Sequence, residues 1–146
     1  MNSKEFKKRF GEVAKANEFK NAFGCWYKES AASVVVLELR KSNFGDYYQL
    51  LIKIFIQGAF ESTYAPSKDV MRSSLGHITA NETPEYKNIL DFDVRMEDDI
   101  RRECLDKLFA DHIVPFTDRA LSRGGIMELA NEGEVFILPA VKQELA

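Results

Sequence analysis

The chain has 146 residues, of which 45% are hydrophobic and 29% charged, and its formal net charge is −3. This composition is typical of a globular domain and excludes disordered, collagen-like and membrane-spanning classes. The negative charge disfavours nucleic acid as a partner, and no N-terminal apolar run indicates a secretory leader. Cys25 and Cys104 lie far apart, which favours free thiols in a reducing compartment. The sequence therefore predicts one domain over residues 1–146, located in the cytoplasm, with no membrane partner.

The first predicted element is a helix from about Ser3 to Asn17, because apolar residues recur there at helical spacing. Asn2 and Glu5 have the spacing of a reciprocal N-terminal cap. The outer face of this helix is basic, and it consists of Lys4, Lys7, Lys8 and Arg9. Such a face could bind an acidic partner, although most charged helix faces are simply solvated.

Four strands are predicted next, at 25–27, at 33–41, after Gly45, and at 76–80. A short loop containing Asn43 and Gly45 joins the second and third of these into an antiparallel hairpin. Side chains alternate across a sheet, so the third strand presents an apolar face and a mixed face. The apolar face, predicted to be core, consists of Tyr48, Leu50, Ile52, Ile54 and Ile56. The mixed face is predicted to be partly wet.

Residues 61–75 are polar, contain Pro66 and lack a period, which predicts a mobile loop. From about Asp93 an apolar stripe predicts a helix that reaches Ile113 and ends at Pro115. A second short helix is predicted from Pro115 to a stop at Gly124 and Gly125. A third is predicted to be closed by Gly133, and residues 135–138 are either a strand or an extended segment before a helical turn opened by Pro139. Together these elements predict an α+β fold, in which a small antiparallel sheet over residues 23–80 packs against N-terminal and C-terminal helices.

Catalytic and metal-binding patterns are weak in this sequence. Neither His77 nor His112 lies in a recognisable catalytic motif, and the cysteines and histidines lack metal-ligand spacing. The acidic cluster Asp91, Asp93, Glu97, Asp98 and Asp99 could hold a cation, but acidic residues at a helix start are stabilising by themselves. A phosphate site would need glycines between a strand and a helix, whereas Gly124 and Gly125 follow a predicted helix, so they more simply indicate a helix stop. We predict no cofactor and no metal.

The remaining candidates are a basic turn and several aromatic residues. Trp, Tyr and Arg are the residues that most often dominate protein interfaces. The predicted binding residues are Arg40, Lys41, Ser42, Tyr47, Trp26, Tyr27 and His77. Arginine grips carboxylates through two hydrogen bonds, so the expected partner is a protein with an acidic surface.

The segment "RKSNFGDYY", with the pair Trp26 and Tyr27 and the later "GHI" and "LDFD", resembles a bacterial family known as domain of unknown function 4304. The resemblance extends from the first helix to about Phe116. It implies a stand-alone bacterial α+β protein without an assigned activity, and immunity proteins of contact-dependent toxin systems are one expected role. The immunity role is an analogy with the family and is not indicated by particular residues of this chain.

Two functions are consistent with these observations. The first is a non-enzymatic, protein-binding module in the cytoplasm, of the toxin-immunity kind. The alternative is a small enzyme with a polar site around His77 and the 40–43 turn. The absence of a recognisable catalytic set favours the first, and the sequence leaves the oligomeric state open.

Overall fold

A computed structural model describes residues 1–146 and contains one antiparallel sheet, whose five strands lie side by side in chain order. The strands are β1 (Lys20–Ala22), β2 (Cys25–Glu29), β3 (Ser33–Lys41), β4 (Tyr48–Ile56) and β5 (Ile78–Asn81). The α-helices are α1 (Ser3–Ala16), α2 (Lys68–Met71), α3 (Asp98–Leu108), α4 (Val114–Ala120), α5 (Arg123–Asn131) and α6 (Pro139–Leu145). Short 3₁₀ turns lie at Ala59–Glu61 and Pro84–Leu90. The predicted α+β class with an antiparallel sheet is therefore confirmed.

One face of the sheet, which we call the helix side, forms the main core. The long hairpin of β3 and β4 places Val35 opposite Ile54, Leu37 opposite Ile52 and Leu39 opposite Leu50. These side chains join one apolar cluster with residues of α1, α3, α4 and α5. Ile52 and Ile54 are fully buried, as the alternating pattern predicts.

Helix α1 begins where the sequence predicts. The Asn2 side chain accepts a hydrogen bond from the Glu5 backbone N–H at 2.8 Å, which caps the first turn. Phe6 and Phe10, one helical turn apart, are fully buried against the helix side. The basic residues consequently lie on the faces of α1 that point away from the core.

The opposite face of the sheet, which we call the strap side, is covered by residues 62–75, the strap. Val34, Val36 and Phe55 pack there with Cys25 and with Met71 of α2, and all five are buried. Gln49 on this face is exposed, whereas Leu51, Lys53 and Phe55 are buried, so the mixed face is only partly wet, as predicted. The loop predicted at 61–75 contains the one-turn helix α2 and packs on the sheet through Met71. The strap lacks a sequence period because single residues, rather than a helical stripe, attach it to the sheet.

The C-terminal helices differ in their boundaries from the prediction. Helix α3 begins at Asp98, and the chain does not leave the helix at Pro115 but passes through a π-helical turn, Phe109–Ile113, into α4. Pro115 therefore lies within a continuous run of helical backbone, directly after the π-helical turn, a place where a helix commonly accommodates a residue without an N–H.

Gly124 and Gly125 are not a helix stop, since both lie in the first turn of α5. A Cβ atom on Gly125 would lie only 2.0 Å from the Arg119 carbonyl oxygen, so glycine permits the close approach of α5 to α4. Gly133, with φ of +75°, follows α5 as predicted. Residues 135–138 form no strand, and Val135 and Ile137 instead pack on the core before α6.

Candidate functional site

The seven predicted binding residues lie in three separate places. Arg40, Lys41, Ser42 and Tyr47 lie at the end of the β3–β4 hairpin, Trp26 faces α1 on the helix side, and Tyr27 and His77 lie on the strap side. The structure therefore does not bring them into one site. Each place has its own chemistry.

At the hairpin end, the positive charges are already paired within the protein. The Arg40 guanidinium donates to the Glu38 carboxylate at 3.1 Å and to the Ser74 carbonyl at 3.3 Å. The Lys41 ammonium forms a salt bridge with Asp46 and lies 5.4 Å from the centre of the Tyr48 ring. Ser42 accepts a hydrogen bond from the Phe44 N–H through its hydroxyl, which shapes the loop. The backbone of Tyr47 pairs with that of Asp91 in an isolated antiparallel β-bridge.

Beneath Arg40, on the strap side, lies a buried ion pair that the sequence analysis missed. The fully buried Lys53 ammonium donates to the Glu38 carboxylate at 2.8 Å, the Met71 carbonyl at 2.7 Å and the Ser73 carbonyl at 2.9 Å. Burial alone raises the pKa of Glu38, but hydrogen bonds from Lys53 and Arg40 outweigh it and hold the pKa below its ordinary value. The pairing register of β3 and β4 would have revealed this ion pair. Glu38 lies opposite Leu51, so Lys53 is its diagonal neighbour on the same face of the sheet.

Cys25 lies beside this pair and is a buried free thiol. Its S–H donates to the Met71 carbonyl at 3.4 Å. Burial, and secondly the Glu38 carboxylate, raise the pKa of Cys25, so it stays a protonated thiol. A thiol in this state is a packing group rather than a nucleophile.

His77 has a structural role at the edge of the strap side. Its Nδ1 atom accepts a hydrogen bond from the Ile56 N–H at 2.9 Å. Phe55, Phe60 and Tyr64 surround the ring, with centroids 4.6 to 5.4 Å away. Burial lowers the pKa of His77 below its usual value, so the ring is neutral near pH 7. Burial likewise lowers the pKa of His112, which packs beside Tyr86 on the helix side.

The largest cavity is a cleft of about 890 Å³ between α1 and the first two strands. Its rim carries five lysines, and its floor contains Phe19 and Trp26; we call it the lysine cleft. The lysines are Lys4, Lys7, Lys8, Lys15 and Lys20. Salt bridges of lysine occur in this protein at Lys41, Lys53 and Lys107, so all five cleft lysines lack a carboxylate partner.

The chain builds this cleft by turning sharply at the end of α1. Glu18 adopts a positive φ of 70°, and the buried Phe19 donates its N–H to the Ala14 carbonyl at 3.0 Å. Strand β1 then runs alongside the helix, and a two-residue turn at Phe23 and Gly24 leads into β2. As a result, Lys20 lines the cleft together with the lysines of α1.

Gly11 exposes the floor of the lysine cleft. A Cβ atom at this position would lie 3.1 Å from Nε1 of Trp26 and 3.2 Å from Cζ2, which is tighter than an ordinary contact. Trp26 itself is only 4% exposed and packs on Phe10, with ring centroids 4.9 Å apart. No side chain or carbonyl of the protein accepts a hydrogen bond from its indole N–H. This N–H group is accessible from the cleft.

The lysine cleft was only partly visible in the sequence. The basic face of α1 was identified, but Arg9 belongs elsewhere, because it pairs with Glu12 and Asp106. Lys15 and Lys20 were missed, since their proximity to Lys4 and Lys8 depends on the turn after α1. Glu12 and Glu18 also line the cleft, so its rim carries a net charge of +3 in a protein whose net charge is −3.

Other features of the chain offer no comparable site. No group of three or more His, Cys, Asp or Glu side chains is arranged to hold a metal ion. None of the helices combines the length and the apolar character needed to cross a membrane. Comparisons with family models, with curated proteins and with solved structures find no match to this chain. The resemblance to domain of unknown function 4304 therefore stays a prediction.

Proposed function

We propose that this protein is a non-enzymatic binding protein and that it holds an acidic partner protein in the lysine cleft. The observation that carries the proposal is the set of five unpaired lysines around an aromatic floor. Unpaired like charges repel one another, so an acidic occupant lowers their electrostatic energy. Complementary charge also speeds association and selects the partner.

The hairpin end is a weaker candidate for the principal contact. Arg40 and Lys41 stay predicted binding residues, but Glu38 and Asp46 already neutralise them. A partner would have to compete with these internal carboxylates. The cleft lysines present charge without that competition.

The surroundings of the histidines support a non-enzymatic role. His77 uses its Nδ1 atom to hold the Ile56 N–H, and Cys25 is buried with a raised pKa. Aromatic rings surround His77, and the Glu38 carboxylate beside Cys25 is already bonded to Lys53 and Arg40, so neither residue has a free partner for nucleophilic catalysis. The toxin-immunity role, implied by the family resemblance, is one kind of protein binding that fits this proposal.

The test is a pair of charge reversals with a matched control. We expect Lys8→Glu/Lys15→Glu to lose an acidic protein that the wild-type protein captures from an extract of its source organism. The control, Lys68→Glu/Lys142→Glu, makes the same charge change at exposed, unpaired lysines outside the cleft and should keep that partner.

Calorimetric titration with the purified partner then measures the effect. We expect the cleft variant to bind at least about tenfold more weakly, with an affinity that falls as salt rises. Equal affinities of the cleft variant and the control would contradict the proposal.

A further inference from the structure

The arrangement of charge in the lysine cleft restricts the shape of its occupant. Lys4 and Lys15 are eleven residues apart on α1, which corresponds to about 16 Å along the helix axis. A compact phosphate group needs donors that converge on one point. Lysines spread along a groove instead match carboxylates spread along about five residues of extended chain.

The floor of the lysine cleft restricts the occupant further. Beneath the charges lie the small exposed parts of Phe19 and Trp26, which are 3% and 4% exposed, and Gly11 places no side chain against the edge of the indole. The lysine stems are themselves apolar and extend the walls upward. A purely acidic chain would leave this apolar floor and the free indole N–H unsatisfied.

From these features we infer that the partner binds through an extended acidic segment that inserts one large apolar side chain onto the Trp26 and Phe19 floor. The flanking carboxylates contact the cleft lysines, and a backbone carbonyl of the segment accepts the hydrogen bond of the Trp26 indole N–H. This inference rests on the proposed function and adds an anchor residue to it. A desolvated apolar anchor surrounded by a charged rim is the usual arrangement of an interface hot spot.

Trp26 supplies a direct signal for the test, because it is the single tryptophan of the chain. Three synthetic peptides without tryptophan are titrated against the protein. The first is a short run of glutamates with one central leucine, the second has alanine in place of that leucine, and the third keeps the leucine but replaces every glutamate by glutamine.

We expect the acidic leucine peptide to bind and to change the intensity of the Trp26 fluorescence, because the indole edge contacts the peptide. The acidic alanine peptide should bind at least about tenfold more weakly, because it buries much less apolar area. The glutamine peptide should not bind measurably. Lys8→Glu/Lys15→Glu should abolish the binding of both acidic peptides.

Gly11→Ala tests the floor without removing a charge. The added methyl group meets the Trp26 indole, so this variant should lose the preference for leucine over alanine while still binding acidic peptides. Circular dichroism checks that the variant is folded. The comparison among peptides on the wild-type protein holds whether or not the variant folds.

The outcomes separate the inference from the proposed function. Equal affinity for the two acidic peptides, with unchanged Trp26 fluorescence, would overturn the anchor and leave the binding of acidic chains intact. Failure of both acidic peptides to bind would overturn the extended segment, and the charge-reversal titration with the purified partner would then decide the proposed function. Vesicles containing phosphatidylserine are titrated in the same way. A change in Trp26 fluorescence with vesicles but with no peptide would overturn the inference and identify the ligand of the cleft as a lipid surface.

Discussion

The two faces of the sheet are covered by different means, although they share the same strands. The helix side is almost entirely apolar, and helices pack on it through one large cluster of apolar side chains. The strap side has a smaller cluster of five buried apolar residues, and beside it Lys53 binds Glu38 and two carbonyls of the strap. A buried ammonium group therefore fixes one particular loop on the sheet, because only acceptors at the right positions satisfy its hydrogen bonds.

Neighbouring residues of β4 allow a direct comparison of the two faces. Ile52 points to the helix side and Lys53 to the strap side, and both are fully buried. The helix side depends on volume, which other apolar residues supply nearly as well. The strap side depends on the charge of Lys53 and on the directions of its hydrogen bonds, which apolar residues do not supply.

The largest effect is expected from Lys53→Met, which conserves most of the volume but removes the charge. It leaves Glu38 buried without Lys53 and two strap carbonyls without their donor, so we expect the free energy of unfolding to fall by about 3–5 kcal/mol. Urea denaturation measures this change.

The double variant Glu38→Leu/Lys53→Met is the matched control, because it removes both charges. It should be more stable than Lys53→Met alone, since the buried Glu38 carboxylate, which Lys53→Met leaves with Arg40 as its only charged partner, is removed as well. A double variant that is as unstable as the sum of its two single variants would show that the pair does not act as a unit.

A smaller effect is expected at Ile52 on the helix side. Ile52→Val removes one methylene from the main core, and we expect a loss of about 0.5–1.5 kcal/mol in the free energy of unfolding. The measurement is the same urea titration. A loss as large as that of Lys53→Met would mean that the two faces respond alike to conservative changes.

The sequence predicted the helix side well, because its apolar residues repeat with the period of a strand in β4 and of a helix in α1. It failed on the strap, where Met71 is one buried residue in a polar stretch and leaves no period to detect. It also failed at Gly125, because the close approach to Arg119 depends on the packing of α4 against α5.

The candidate site shows the same division between local and tertiary information. Lys4, Lys7 and Lys8 share one helix, so their grouping was evident in the sequence. The contribution of Lys20 and the exposed edge of Trp26 arises from the turn at Glu18 and from the missing side chain of Gly11. Neither has a sequence pattern of its own, and both are consequences of how α1 packs on the sheet.

The smallest expected effect concerns pH, and it compares a histidine from each face. Burial lowers the pKa of both His77, on the strap side, and His112, on the helix side. Below the ordinary histidine pKa of about 6.5, the unfolded chain binds protons that the folded protein does not yet bind. Stability is therefore fully present above that pH and falls as the pH drops toward the lowered folded-state values.

His77→Asn separates the two contributions, because the asparagine side-chain oxygen can still accept from the Ile56 N–H but does not titrate in this range. We expect the decline in stability between pH 7.5 and pH 5 to be shallower in this variant by less than about 1 kcal/mol, since His77 is only partly buried and solvent screens its charge. Urea titrations at several pH values measure the slope. His112 should account for the decline that persists in the variant, because Glu134 and Glu85 favour its charged form only weakly against burial. An unchanged slope would assign the whole pH dependence to groups outside the strap side.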